Sequence, residues 1–161
     1  TLKTFAKNKQ GEVIPKMLVV KMNKARDFGK ATGTASQLYL ANLSLSFYDR
    51  NPDSLDLMTM TKKLSAEFSP YPFMEGSCLY CNFGHLRGYS SNYYTYQWSL
   101  AIATEMFARF QQEGMHNAQV AREYREKVLA PGSSKPARLT VTDFLGREFS
   151  TQAYIASLKE S

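Results

Sequence analysis

The chain has 161 residues, enough for about one domain with a sizeable buried core. Hydrophobic residues make up 43% and charged residues 21%, a balance that excludes a disordered chain. The formal charge of +6 lies wholly in residues 1–30, where Lys3, Lys7, Lys9, Lys16, Lys21, Lys24, Arg26 and Lys30 stand against Glu12 and Asp27; over 31–161 twelve basic residues balance twelve acidic ones, so the excess is a local feature on an otherwise balanced surface.

In chain order the pattern is helical throughout, with no sustained period-2 alternation. Pro15 is placed to open a first helix at its first position, with Met17, Val20, Lys24 and Phe28 at helical spacing. Thr32-Gly33-Thr34 predicts a weak break. Ser36 to Tyr48 then resumes as a helix apolar on most sides, and Asn51-Pro52 stops it. Asp53 or Ser54 is the predicted cap of a short helix carrying Leu57, Met58, Met60, Leu64 and Phe68. Residues 69–89, rich in Gly, Pro and aromatics, read as one ordered loop, a length that usually signals function. A long helix is predicted from about Ser90 to Gln112, ended by Gly114. Asn117 caps another that runs to about Leu129, before Pro131-Gly132. Two short helices close the chain, near Leu139–Leu145 before Gly146 and from Ser150 to Leu158. No repeat, low-complexity segment or interdomain linker divides residues 1–161.

No run of hydrophobic residues exceeds four, so neither a transmembrane helix nor a signal-peptide core is encoded in residues 1–161, which says little of where a longer protein goes; the location expected is cytoplasmic. The chain starts at Thr1 and not at Met, and is read as processed or as a piece of a longer protein.

Three constellations are candidates for chemistry. Cys78-x-x-Cys81-x-x-x-His85 has thiolate and imidazole spacing that suits zinc, but the only other histidine, His116, lies in or beside a helix and no second pair completes the set. A redox reading lacks the βαβ context, and the plainer expectation is two small apolar side chains in a packed loop. The second constellation is Tyr89, Tyr93 and Tyr96, spaced to share one helical face that continues as Leu100, Ala103, Phe107 and Phe110. Such a stripe is either core or a pocket. Tyr94 and Trp98 put aromatics on the opposite side, so the helix reads as buried on both, with four phenols gathered at one end around a polar cavity. Third, His85 sits among glycines beside Arg87, as either a structural or a functional imidazole.

The run Phe83-Gly84-His85-Leu86-Arg87-Gly88-Tyr89-Ser90-Ser91-Asn92-Tyr93-Tyr94-Thr95-Tyr96-Gln97-Trp98-Ser99 resembles the C-terminal signature of the thimet oligopeptidase family of zinc metallopeptidases, F-x-H-L-x-G-Y-x-x-x-Y-Y-x-Y-x-W-S. The resemblance extends through Met106-Phe107-x-Arg109-Phe110, Tyr124-Arg125, Leu129-Ala130-Pro131-Gly132-Ser133 and Asp143-Phe144-Leu145-Gly146-Arg147-Glu148. Upstream it takes in Leu2-Lys3-Thr4-Phe5-Ala6 and Ser69-Pro70-Tyr71-Pro72.

The resemblance implies an all-α chain, the multi-helix C-terminal part of a two-lobed helical peptidase that cleaves short peptides in a channel. It also implies one zinc, held by an H-E-x-x-H helix and a distal glutamate, with the motif glutamate activating water. Neither element is encoded here, so zinc belongs to the full-length parent, this chain supplies no metal ligand, and alone it is expected to be inactive. The same resemblance makes Tyr96 the phenol that polarises the scissile carbonyl and His85 a substrate-positioning, transition-state-stabilising imidazole. Tyr89 becomes a substrate contact on the glycine-rich loop and Tyr93 a cleft-lining residue. Arg87, where several relatives carry a small residue, is a cation for a peptide carboxylate or an acidic side chain. The implied partners are a peptide substrate and the missing N-terminal metal-binding portion, with a homo-oligomer expected of the fragment and neither nucleic acid nor membrane. The alternative is a non-enzymatic helical binding module that uses the basic N-terminal segment for nucleic acid.

Overall fold

The computed structural model of the chain describes residues 2–159. Thr1, on which the reading of an internal start rests, lies outside them, as do Glu160, Ser161 and the side chains of Leu2 and Lys3. The described chain is all-α, and its extended pairing is a lone antiparallel bridge between Lys7 and Val13. Ten α-helices follow in order: α1 (Leu2–Phe5), α2 (Lys16–Asp27), α3 (Lys30–Tyr48), α4 (Leu57–Phe68), α5 (Leu79–Asn82), α6 (His85–Gly88), α7 (Thr95–Glu113), α8 (Ala118–Tyr124), α9 (Ala137–Leu145) and α10 (Gln152–Lys159).

Local chemistry accounts for most of the boundaries. Gly114 (φ 111°) and Gly146 (φ 70°) end α7 and α9 in conformations that L side chains resist. The Asn117 Oδ1 accepts from the backbone N–H groups of Gln119 and Val120, at 2.9 and 3.4 Å, which caps α8. Its amide also donates to the Glu113 carbonyl at 3.1 Å, tying the end of α7 to the start of α8. Asn117→Ala is therefore expected to cost about 1 kcal/mol, read as a lower urea midpoint at unchanged slope.

Five boundaries depart from the sequence reading. Pro15 is the N-cap of α2 and does not occupy its first turn. The break falls at Phe28-Gly29 and not at Thr32-Gly33-Thr34: Gly29 takes φ 73°, while Gly33 stays inside α3. Glycine within a helix costs only about 1 kcal/mol, too little to break α3 at that point. The cap of α4 is Asp56, whose side chain accepts from Thr59 N at 2.7 Å; Asp53 and Ser54 sit in the preceding 3-10 turn, held by Asn51. The predicted loop 69–89 contains two single-turn helices, α5 and α6. The long helix begins at Thr95, after a 3-10 turn over Asn92–Tyr94, because Ser90 turns the chain at φ 49°.

Two cores hold the helices. In the first, Ala41 and Leu43 of α3 and Leu64 of α4 pack with Phe83, Leu86 and Tyr93, so α3 and α4 form the floor beneath α5, α6 and the 92–94 turn. In the second, Phe144 of α9 is fully buried against Phe110 and Tyr124, with the Arg109 guanidinium 4.7 Å from its ring centre. Arg109 also donates to the Phe144 carbonyl and pairs with Glu113 (2.6 Å) and Glu123 (3.0 Å). Hydrogen bonds from Lys127 and Arg109 hold the Glu123 carboxyl down to about 2.

The expectation that α7 is buried on both sides does not hold. Its buried residues are Ala101 and Glu105, and the carboxylate of Glu105 is held by Arg147 at 2.5 Å and by Ser150 at 3.4 Å. Leu100, Phe107, Tyr94 and Trp98 are exposed, although Trp98 stacks edge-on against Phe149. Helix α2 buries none of its residues. No helix among the described residues is long and apolar enough to cross a membrane.

Candidate active site

The glycines at 84 and 88 bracket a single turn of helix, α6, that opens with His85. Two bends later the chain enters α7, with Tyr96 in its first turn. This short excursion brings His85 back over Tyr96: its Nε2 lies 3.2 Å from the phenol oxygen, and the ring centres are 5.8 Å apart at 81°. Tyr93 meets the His85 ring edge-to-face at 5.0 Å and the Tyr96 ring at 5.0 Å. The Tyr89 ring centre lies 5.8 Å from that of His85, the planes tilted by 35°. Phe83, at 5.5 Å from His85 and 5.1 Å from Tyr93, closes the base of the cluster.

The tyrosines do not share one helical face. Tyr89 follows α6, Tyr93 sits in the 3-10 turn and only Tyr96 is on α7, yet folding brings all three to His85. They also do not enclose a cavity. Tyr93 alone is buried, and its hydroxyl donates to Gln37 Oε1 at 3.1 Å; Tyr96 is 53% exposed, and Tyr89 and Tyr94 are exposed as well. The cluster is an open face with a packed base. Arg87 is exposed on the same short helix as His85.

The arrangement has a definite hydrogen-bonding capacity. With the ring proton on Nε2, His85 donates to the Tyr96 oxygen and leaves the phenol proton free for a third acceptor. With the proton on Nδ1, the phenol donates to Nε2 and is consumed. The first tautomer leaves Tyr96 a polarised donor.

Cys78 and Cys81 are exposed, not packed as apolar side chains, because α5 is one turn long and buries none of its residues. Among the described residues no three His, Cys, Asp or Glu side chains gather closely enough to hold a metal ion.

Other residues that support the cluster left no signal in the sequence pattern. Gln37, Ser44 and Tyr48 all come from α3, and their polar atoms reach Tyr93 Oη, the Ser90 carbonyl and the Leu86 carbonyl, respectively. At the other side, Tyr154 of α10 donates to Gln97 Oε1 at 2.6 Å, fixing the residue next to Tyr96.

Comparison with known proteins places this geometry in context. The model of peptidase family M3 matches residues 1–160. A thimet-like oligopeptidase of Dictyostelium discoideum is 27% identical over 147 residues, covering 90% of this chain and 22% of that protein. Organellar oligopeptidase A, chloroplastic/mitochondrial, of Arabidopsis thaliana is 26% identical over 92% of this chain and 20% of its own length. The human mitochondrial intermediate peptidase is 24% identical over 96% of this chain and 22% of its own length. The chain thus spans about a fifth of the length of the curated relatives it matches.

Proposed function

The chain belongs to peptidase family M3, and from that premise we propose that it is the C-terminal segment of the catalytic domain of a zinc-dependent oligopeptidase. Its part is to bind a short peptide and to stabilise the charge that develops on the scissile carbonyl oxygen. The observation that carries this reading is the contact of His85 Nε2 with Tyr96 Oη at 3.2 Å on an open, aromatic face. As the carbonyl carbon is attacked, negative charge grows on its oxygen, and a fixed donor helps most when that charge is greatest. Tyr96 supplies the donor and His85 polarises and orients it. The exposed ring of Tyr89 contacts the peptide, the Tyr93 ring forms the cleft wall behind the donor pair, and Arg87 meets a peptide carboxylate or an acidic side chain.

Metal, general base and the remaining cleft belong to the missing N-terminal portion of the parent. Two surfaces support that partner. Helix α2 exposes Met17, Leu18 and Met22 together with Lys16, Lys21 and Lys24, and α7 exposes Leu100 and Phe107. Apolar side chains displayed in this number call for a covering surface. The relatives' names include both cytosolic and organellar proteins, and a cytoplasmic site is the one proposed here.

The test has two arms. The isolated chain is expected to show no turnover of a quenched fluorescent peptide with added zinc, and to sediment as a concentration-dependent oligomer through its uncovered apolar faces. The longer protein carrying it is expected to cleave the peptide in a chelator-sensitive manner. Turnover by the pure chain, or none by the longer protein, sinks the reading.

A further inference from the structure

We propose that Ser44 and Tyr48 are positioning residues, a clasp on α3 that holds the backbone of segment 86–90 and thereby sets His85 against Tyr96; the inference rests on the reading of that pair as carbonyl-oxygen donors. Ser44 is fully buried, and its hydroxyl donates to the Ser90 carbonyl at 2.6 Å. One turn further along α3, the Tyr48 phenol donates to the Leu86 carbonyl at 2.5 Å. The two bonds grip the chain at both ends of the stretch that follows His85.

Ser90 is where such a grip is needed. Among the described residues it is the only non-glycine with a positive φ, 49°. The left-handed region disfavours a residue with a Cβ, by about 1–2 kcal/mol in general. A conformation of that kind persists when its surroundings over-determine it. Here Asn92 N bonds the Tyr89 carbonyl at 2.9 Å and Tyr89 N bonds the His85 carbonyl at 2.8 Å, but neither fixes Ser90 itself. The buried Ser44 hydroxyl does. The turn at Ser90 reverses the chain, so that Tyr93 and Tyr96 return to the imidazole they would otherwise leave behind.

The clasp is tested in the longer enzyme by steady-state kinetics and hydrogen exchange on Ser44→Ala, Tyr48→Phe and the pair Ser44→Ala/Ser90→Gly. Each single substitution is expected to lower kcat about tenfold with KM unchanged, and to raise amide exchange in 85–93 while the Phe144 core stays protected. Glycine adopts the conformation that Ser90 resists without a Cβ penalty, so the double variant is expected to recover most of the kcat lost in Ser44→Ala. A uniform rise in exchange with no recovery assigns Ser44 to general stability and overturns the clasp. Unchanged kcat and exchange in both single variants also overturns it. The donor reading is judged separately by Tyr96→Phe: if that variant keeps full kcat, the donor reading fails, while exchange in 85–93 still decides the clasp.

Discussion

Tyr96→Phe in the longer enzyme is expected to lower kcat by about 10²–10³-fold, the typical loss of one oxyanion donor, with KM nearly unchanged. The substitution removes only the hydroxyl. The ring keeps its contacts with Tyr93 at 5.0 Å and with His85 at 5.8 Å, so the cleft wall and the fold remain. A donor that strengthens as charge develops contributes mainly to the transition state, which is why the loss appears in kcat and kcat/KM together. Tyr94→Phe is the matched control: that phenol is exposed two residues before Tyr96 and belongs to no ring contact given for the cluster, so both constants should stay within twofold of the parent, roughly the spread of a neutral surface change. Equal activity of Tyr96→Phe and the parent would remove Tyr96 from its role. A large rise in KM at constant kcat would instead make it a substrate-binding residue.

The elements legible in the sequence are those set by local chemistry. Gly114, Asn117 and Gly146 mark helix ends because a left-handed glycine or an acceptor side chain acts within three or four residues. The choice between Gly29 and Gly33 was not legible. Either can break a helix; Gly29 takes the left-handed conformation, and Gly33 stays inside α3. The cap of α4 was misplaced for a related reason, since Asp53 and Asp56 are both competent and Asn51 had already engaged the first. At the site, spacing singles out Tyr89, Tyr93 and Tyr96 on one continuous helix, which the turn at Ser90 breaks, and it is the family resemblance that joins His85 to them. The clasp left no trace, because its bonds join residues 38 and 46 positions apart and its members sit within an apolar helix that reads as core.

Phe144→Ala is expected to destabilise the chain by about 3–5 kcal/mol, the range for truncating a buried phenyl ring. Phe144 is fully buried, and its ring lies 5.9 Å from Phe110 of α7, 5.5 Å from Tyr124 of α8 and under the Arg109 guanidinium. Removing it opens a cavity where three helices meet. It also leaves Arg109 with its carboxylate partners Glu113 and Glu123 but no ring to cover its face. For a chain of this size the loss corresponds to a fall in Tm of about 6–20 °C, measured with the urea midpoint as a check. Phe144→Leu, which refills much of the volume, should cost less than half as much. A loss below about 1 kcal/mol for Phe144→Ala would mean that the ring is not what joins α7, α8 and α9. In the longer enzyme, below its transition, the same substitution should keep the kcat of the parent per folded molecule, because Tyr96 stands at the opposite end of α7, held there by α3 and α10 rather than by this core. The two substitutions therefore separate what builds the long helix from what its first turn does: one lowers the melting temperature and spares the chemistry, and the other does the reverse.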